Sequence, residues 1–160
     1  MRHRRLPRLD LEHSSYFLTN CLDRRRPLLR QAELAQYLIA LYSRLRDQGG
    51  VALHGYVIMP DHYHVLLTLK TVPSISQVVR AVHSSFAIRL HQVSQVRGRT
   101  WQRRFRDHVL RDEEDYRTKI SYMHANPVRA GLVENPVDYT WSSCRYWEAG
   151  EGPVSCDPLG

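Results

Sequence analysis

The chain has 160 residues, 42% hydrophobic and 24% charged, which suits one soluble globular domain and excludes a disordered chain. Its longest apolar runs, such as Tyr37 to Tyr42, fall far below the roughly 20 residues of a membrane span, and Cys21, Cys144 and Cys156 suit neither a disulfide framework nor a cysteine zinc site. The net charge is +7, and 21 of the 23 basic residues are arginine (23 less Lys70 and Lys119), so a polyanion, nucleic acid first, is the expected partner.

The N-terminal arginines Arg2, Arg4, Arg5 and Arg8 precede no apolar run, so the start of the chain does not read as a secretory signal. Ser15 to Leu22 reads as a first strand and Arg24 to Pro27 as a basic turn. Leu34, Leu38, Leu41 and Leu45 recur at helical spacing over Gln31 to Gln48, ended by Gly49-Gly50. Val51 to Met59 alternates, with Val51, Leu53, Val57 and Met59 on one side. Pro60-Asp61 makes a turn into a third strand, His62 to Leu69. Pro73-Ser74 opens a second helix reaching about Gln92, with Ile75, Val78, Val79, Val82, Phe86 and Leu90 as its apolar stripe. After a basic loop comes a short strand, Phe105 to Leu110. Asp112 N-caps a third helix that is expected to stop at Asn126-Pro127. The remainder is turn-rich. The order β-α-β-β-α-β-α predicts an α+β, ferredoxin-like (βαββαβ) fold with an antiparallel sheet and an extra C-terminal helix. We read 1–160 as a single domain, with a core at 13–133 and an extension at 134–160. The extension could cap a site, pair with another chain or simply pack.

Function has to come from sites, because this fold hosts many activities. His62 and His64 are two apart on a strand, so their imidazoles share one face, opposite Tyr63, Val65, Leu67 and Leu69. Paired imidazoles can begin a divalent-metal site, and on chemistry alone they suit Zn²⁺. Ordinary hydrogen-bonded histidines are the competing reading. Tyr122 and Asn126 are four apart on a helix. Tyrosine can be a covalent nucleophile and an amide oxygen a metal ligand. Equally, Tyr122 can be a packing residue beside Tyr116, Ile120 and Met123, and Asn126 a helix-ending residue. Lys119, one turn before Tyr122, can favour a phenolate or hold a phosphate. The loop interleaves Trp101 and Phe105 with Arg97, Arg99, Arg103, Arg104 and Arg106, a pattern suited to single-stranded DNA. Trp101 can instead anchor that loop to the core. His54 can lie beside the site, whereas His108 and His124 read as structural.

Met59-Pro60-Asp61-His62-Tyr63-His64-Val65-Leu66-Leu67 resembles the HUH motif of the one-tyrosine transposases. Trp101 to His108, and Tyr122 to Val128 with Ala130-Gly131-Leu132, resemble the REP-associated tyrosine transposases of bacteria. The segments fall in the family's order, and the similarity spans roughly residues 13 to 147. Tyr63 departs mildly from the pattern, where the family accepts any bulky apolar residue.

The resemblance implies a metal-dependent nuclease and strand transferase acting on single-stranded DNA near repeat hairpins, through a 5′-phosphotyrosine intermediate. It implies Tyr122 as the nucleophile. It also implies His62, His64 and Asn126 as ligands to Mg²⁺ or Mn²⁺, which replaces the Zn²⁺ reading. It further implies a cytoplasmic, nucleoid-associated bacterial protein, monomer or homodimer, with no membrane partner. The alternative is a non-catalytic ferredoxin-like module that recognises structured single strands, although the sequence has no aromatic-rich RNP segment. A domesticated, inactive hairpin binder is a third reading.

Overall fold

The computed structural model describes residues 13–72 and 74–160; the N-terminal arginines and Pro73 lie outside the described residues. Strand β1 (Ser15–Cys21) is followed by helix α1 (Ala32–Asp47), strands β2 (Val51–Ile58) and β3 (His62–Leu69), helix α2 (Ile75–Val93), strand β4 (Arg106–Val109) and helix α3 (Glu113–Arg129). A short helix α4 (Cys144–Ala149) comes last. The sheet order is β2-β3-β1-β4 and each neighbouring pair is antiparallel. This is the expected ferredoxin-like arrangement, with β4 shorter than the sequence suggested.

The two faces of the sheet are buried differently. On one face, Tyr16, Leu18, Leu53, Tyr56, Ile58, Tyr63, Val65 and Leu67 form the main core with Leu34, Leu38 and Tyr42 of α1 and Val78, Val82 and Phe86 of α2. Ser74 caps α2 by accepting from the Gln77 N–H. Tyr63, the one polar side chain in the middle of the histidine pair, is satisfied in this core. Its hydroxyl lies 2.8 Å from the Tyr42 hydroxyl and 3.0 Å from His83 Nε2. On the other face, Phe17, Val57, Met59 and Leu66 meet Met123, Ile120 and Tyr116 of α3.

The simple alternation expected for β2 does not hold. Leu53 pairs with Leu67 but Gly55 pairs with Leu66, so His54 is an extra residue in a β-bulge. Val51 and Leu53 face α1 and α2, and beyond the bulge Tyr56 and Ile58 do so. Val57 and Met59 are thereby turned to the α3 face. Gly55, next to the bulge, admits α3 closely: a Cβ there would lie 2.7 Å from Met123 Cε and 2.8 Å from Ile120 Cδ1.

Helix α3 starts as expected, with Asp112 accepting from the Asp115 N–H and three acids in the first turn. It does not stop at Asn126-Pro127. Pro127 is inside the helix, which continues to Arg129. The ending is instead a Schellman motif: Leu132 N–H donates to Pro127 O, Gly131 N–H donates to Val128 O, and Gly131 takes φ +72°. The bias against helix before proline is overridden because Pro127 is buried and the carbonyls of the last turn find partners.

The segment after α3 lies along the outer edge of β2. Ile58 N–H donates to Trp141 O, Ser143 N–H to Tyr56 O, and Asp157 N–H to Leu53 O. The Asp157 carboxylate accepts from Leu53 N–H and from both Nε and Nη2 of Arg46. An otherwise open sheet edge is covered in this way. Of the roles the sequence left open for this segment, packing on β2 is the one observed. No helix among the described residues is long and apolar enough to cross a membrane.

Candidate active site

The site forms where β3, β1 and α3 meet on the second face of the sheet. Strand alternation turns His62 and His64 to this face, and their ring centroids are 5.0 Å apart. His64 pairs with Thr19 of β1, and Thr19 in turn pairs with Arg106 of β4. One cross-strand row therefore runs from His64 through Thr19 to Arg106.

Each imidazole is held through Nδ1. His62 Nδ1 lies 2.7 Å from Asp61 Oδ1, and His64 Nδ1 lies 2.9 Å from Thr19 Oγ1. His64 is 4% exposed and its ring stacks on Phe17, centroids 5.1 Å apart. Burial first, then the nearby His62, Arg129 and Lys119, push its pKa down to about 3. It is a neutral imidazole at neutral pH. Its Nε2 is buried with no hydrogen-bond partner. A buried polar nitrogen left without a partner calls for a ligand.

Helix α3 brings the tyrosine. Met123 and Pro127 are buried against the sheet, and the neighbouring stripe of Lys119, Tyr122, Asn126 and Arg129 runs along the edge of the site. The Tyr122 ring centroid is 5.8 Å from His64 and 6.2 Å from Phe17, edge-on to both. Tyr122 is 48% exposed. Because α3 continues past Pro127, Asn126 stands one helical turn beyond Tyr122 and is half-buried. Lys119 Nζ is 5.3 Å from the Phe17 ring.

Two imidazoles and a helical amide are side chains that could hold a divalent cation. Among the described residues, no three His, Cys, Asp or Glu side chains gather into a cage.

The other residues singled out by sequence fall in different places. Arg103, Arg104 and Arg106 are exposed. Arg97 is exposed but curls onto its own loop, donating to the carbonyls of Ser94 and Val96. Arg99 lies 4.0 Å from Asp23. Trp101 is not a stacking platform. It is 7% exposed, lies flat on His83 with centroids 4.1 Å apart, and contacts Tyr63 and Phe86. The loop folds back because Gln102 N–H donates to Cys21 O and Trp101 bridges Leu22, so the indole anchors the loop in the core. His54 is not beside the site either. The bulge directs it to Thr68 Oγ1 and the Asp157 carbonyl, with Tyr116 edge-on at 6.0 Å. His108 and His124 are structural, bound to Asp115 and Ser143.

Sequence reasoning missed four contributors: Asp61, Thr19, Phe17 and Arg129. Asp61 alone had a visible signal, as the acid next to the first histidine. The others arrive through strand register and helix continuation.

The model of the family described as Transposase IS200 like matches residues 11–125. This chain belongs to the IS200-like transposase family. The REP-associated tyrosine transposase of Escherichia coli (strain K12) is 29% identical over 132 residues, covering 80% of this chain and 74% of that protein. A solved REP-associated tyrosine transposase bound to a REP hairpin superposes with a TM-score of 0.74 at 25% identity, covering 98% of this chain and 93% of that one. A second solved chain, from Deinococcus radiodurans, covers 76% of this one with a TM-score of 0.52 at 23% identity, and that likeness shows the fold alone. In this chain His62, His64 and Tyr122 are neighbours, and Asn126 follows Tyr122 one turn along α3.

Proposed function

We propose that this transposase cuts and rejoins single-stranded DNA beside a hairpin, with Tyr122 as nucleophile. The observation that carries the reading is the Tyr122 ring set 5.8 Å from His64, whose Nε2 is buried and unpartnered. The phenol oxygen of Tyr122 attacks the scissile phosphorus and its proton passes to solvent, which returns one proton to the departing 3′ oxygen. The P–O bond to the upstream 3′ oxygen breaks, leaving a free 3′-hydroxyl and a 5′-phosphotyrosine. Attack by a 3′-hydroxyl reverses the step and joins strands without a nucleotide cofactor.

His62, His64 and Asn126 would hold Mg²⁺ or Mn²⁺. The ion supplies Lewis-acid polarisation of a non-bridging phosphate oxygen when bound. The chain's own residues do the rest. Phe17 fixes the plane of His64 by stacking, and Lys119 over Phe17 and Arg106 across from Thr19 add positive charge near the imidazoles, which suits a phosphate backbone. The solved neighbour bound to a REP hairpin supports a hairpin substrate for this chain as well.

Cleavage of a labelled single strand carrying a repeat hairpin tests the metal role. His62→Ala and His64→Ala are each expected to abolish cutting while leaving circular dichroism unchanged, and chelation with EDTA is expected to do the same to the wild-type chain. Full activity of either variant, or activity in EDTA, contradicts the reading.

A further inference from the structure

Asp61 and Arg25 form a chain that ends on His62. His62 Nδ1 lies 2.7 Å from Asp61 Oδ1, Arg25 Nε lies 2.9 Å from Asp61 Oδ2, and Arg25 Nη1 is 2.8 Å from Cys21 Sγ. Cys21 is itself the cross-strand partner of His62. The arrangement closes a loop: β1, the basic turn that follows it, the Pro60-Asp61 turn and β3.

The backbone supports the same geometry. Leu22 N–H donates to Asp61 O and Leu29 N–H to Pro60 O, so the basic turn is stitched to the turn that carries Asp61. Arg24 and Arg25 hold φ of 56° and 54°, a left-handed conformation that costs free energy for residues other than glycine. Arg24 has an 88% exposed side chain, whereas Arg25 is turned back onto Asp61. From sequence, Arg24, Arg25 and Arg26 read alike as one basic turn. The structure separates Arg25 from that group.

We infer that Asp61, held by Arg25, is a positioning residue that keeps His62 in the tautomer with the proton on Nδ1 and the lone pair on Nε2, facing the site. Hydrogen-bond direction sets the tautomer. A carboxylate only accepts, so the 2.7 Å contact requires an N–H on Nδ1, and neutral imidazole then has its lone pair on Nε2. Both Asp61 oxygens are engaged, one by His62 and one by Arg25, so the carboxylate cannot swing away without losing both bonds. Partners of this kind tune ligand orientation and basicity, and their loss weakens metal binding by about 10–100-fold. The inference rests on His62 being a ligand, but its first test needs neither metal nor DNA.

The experiment is ¹⁵N NMR of the histidine ring nitrogens in the full, metal-free chain at mildly alkaline pH, with Mn²⁺ titrated afterwards and followed by EPR. Wild type is expected to show His62 protonated on Nδ1. Asp61→Ala is expected to shift His62 toward the Nε2–H tautomer that free histidine favours, and to weaken Mn²⁺ binding by about 10–100-fold. Arg25→Ala keeps the carboxylate but frees it, and is expected to give a mixed tautomer population and a smaller loss. Should Asp61→Ala fail to fold, the Arg25→Ala spectrum decides. Retention of the Nδ1–H tautomer in the variant examined overturns the inference, as does unchanged Mn²⁺ affinity with an altered tautomer. A wild-type chain with the expected tautomer but no Mn²⁺ binding overturns the metal reading and leaves the tautomer assignment standing.

Discussion

The guanidinium of Arg129 sits 4.3 Å from the centre of the Tyr122 ring, and its Nη2 donates to the Tyr122 carbonyl at 2.8 Å. Seven residues apart on α3, the two side chains are neighbours because the helix runs through Pro127 to Arg129. A cation over the ring restrains the phenol. A contact of this kind is worth about 0.5–1 kcal/mol at an exposed position. Arg129→Ala is therefore expected to slow single-turnover cleavage by about two- to fivefold, by that energy, with Arg129→Lys between it and wild type. Equal rates in all three would remove Arg129 from the site.

The basic loop makes a separate prediction. Arg103 and Arg104 are exposed and carry no ring contact to the core. Each phosphate contact contributes about 0.7 to the slope of log affinity against log salt on single strands. The double variant Arg103→Ala, Arg104→Ala is expected to weaken DNA binding and reduce that slope by about 1.4. An unchanged slope would mean that the loop does not touch the DNA.

Acid stability is expected to depend on His83. Burial lowers its pKa to about 3, below the value of about 6.5 in an unfolded chain. The folded state thus takes up its proton later than the unfolded state. The contribution is fully present above about pH 6.5 and is lost as pH falls toward about 3. Unfolding with urea should show stability declining through this window, by up to about 1.4 kcal/mol per pH unit for this one group. His83→Gln is expected to flatten the decline. Buried His64, lowered to about 3, and half-buried His124, lowered to about 4, give a residual slope in the same direction. An identical slope in His83→Gln would show that His83 is not the group responsible.

Much of the fold was legible because periodicity and turns are local. Strand alternation put His62 and His64 on one face, helical spacing put Tyr122 near Asn126, and Asp112 marked the start of α3. What was not legible depends on partners distant in sequence. The bulge at His54 is fixed by its bonds to Thr68 and Asp157. The passage of α3 through Pro127 is fixed by a cap involving Gly131 and Leu132. Trp101 has the look of a stacking residue, and only the meeting of α2, β3 and its loop shows that its ring is spent on His83, Tyr63 and Phe86. Thr19 and Phe17 become visible as site residues only once the β1–β3 register is known.

The nucleophile is the most direct test of the whole reading. Tyr122→Phe removes one oxygen with almost no change in volume, so folding is expected to survive. DNA binding is expected to survive as well, because the phosphate contacts are expected from arginine and not from the phenol. The measurement is a denaturing protein gel of the chain incubated with divalent metal and a labelled single strand bearing a repeat hairpin. Wild type and Tyr116→Phe are expected to give a covalent protein–DNA band, and Tyr122→Phe none. A band that persists in Tyr122→Phe, or vanishes in Tyr116→Phe instead, contradicts the proposed site.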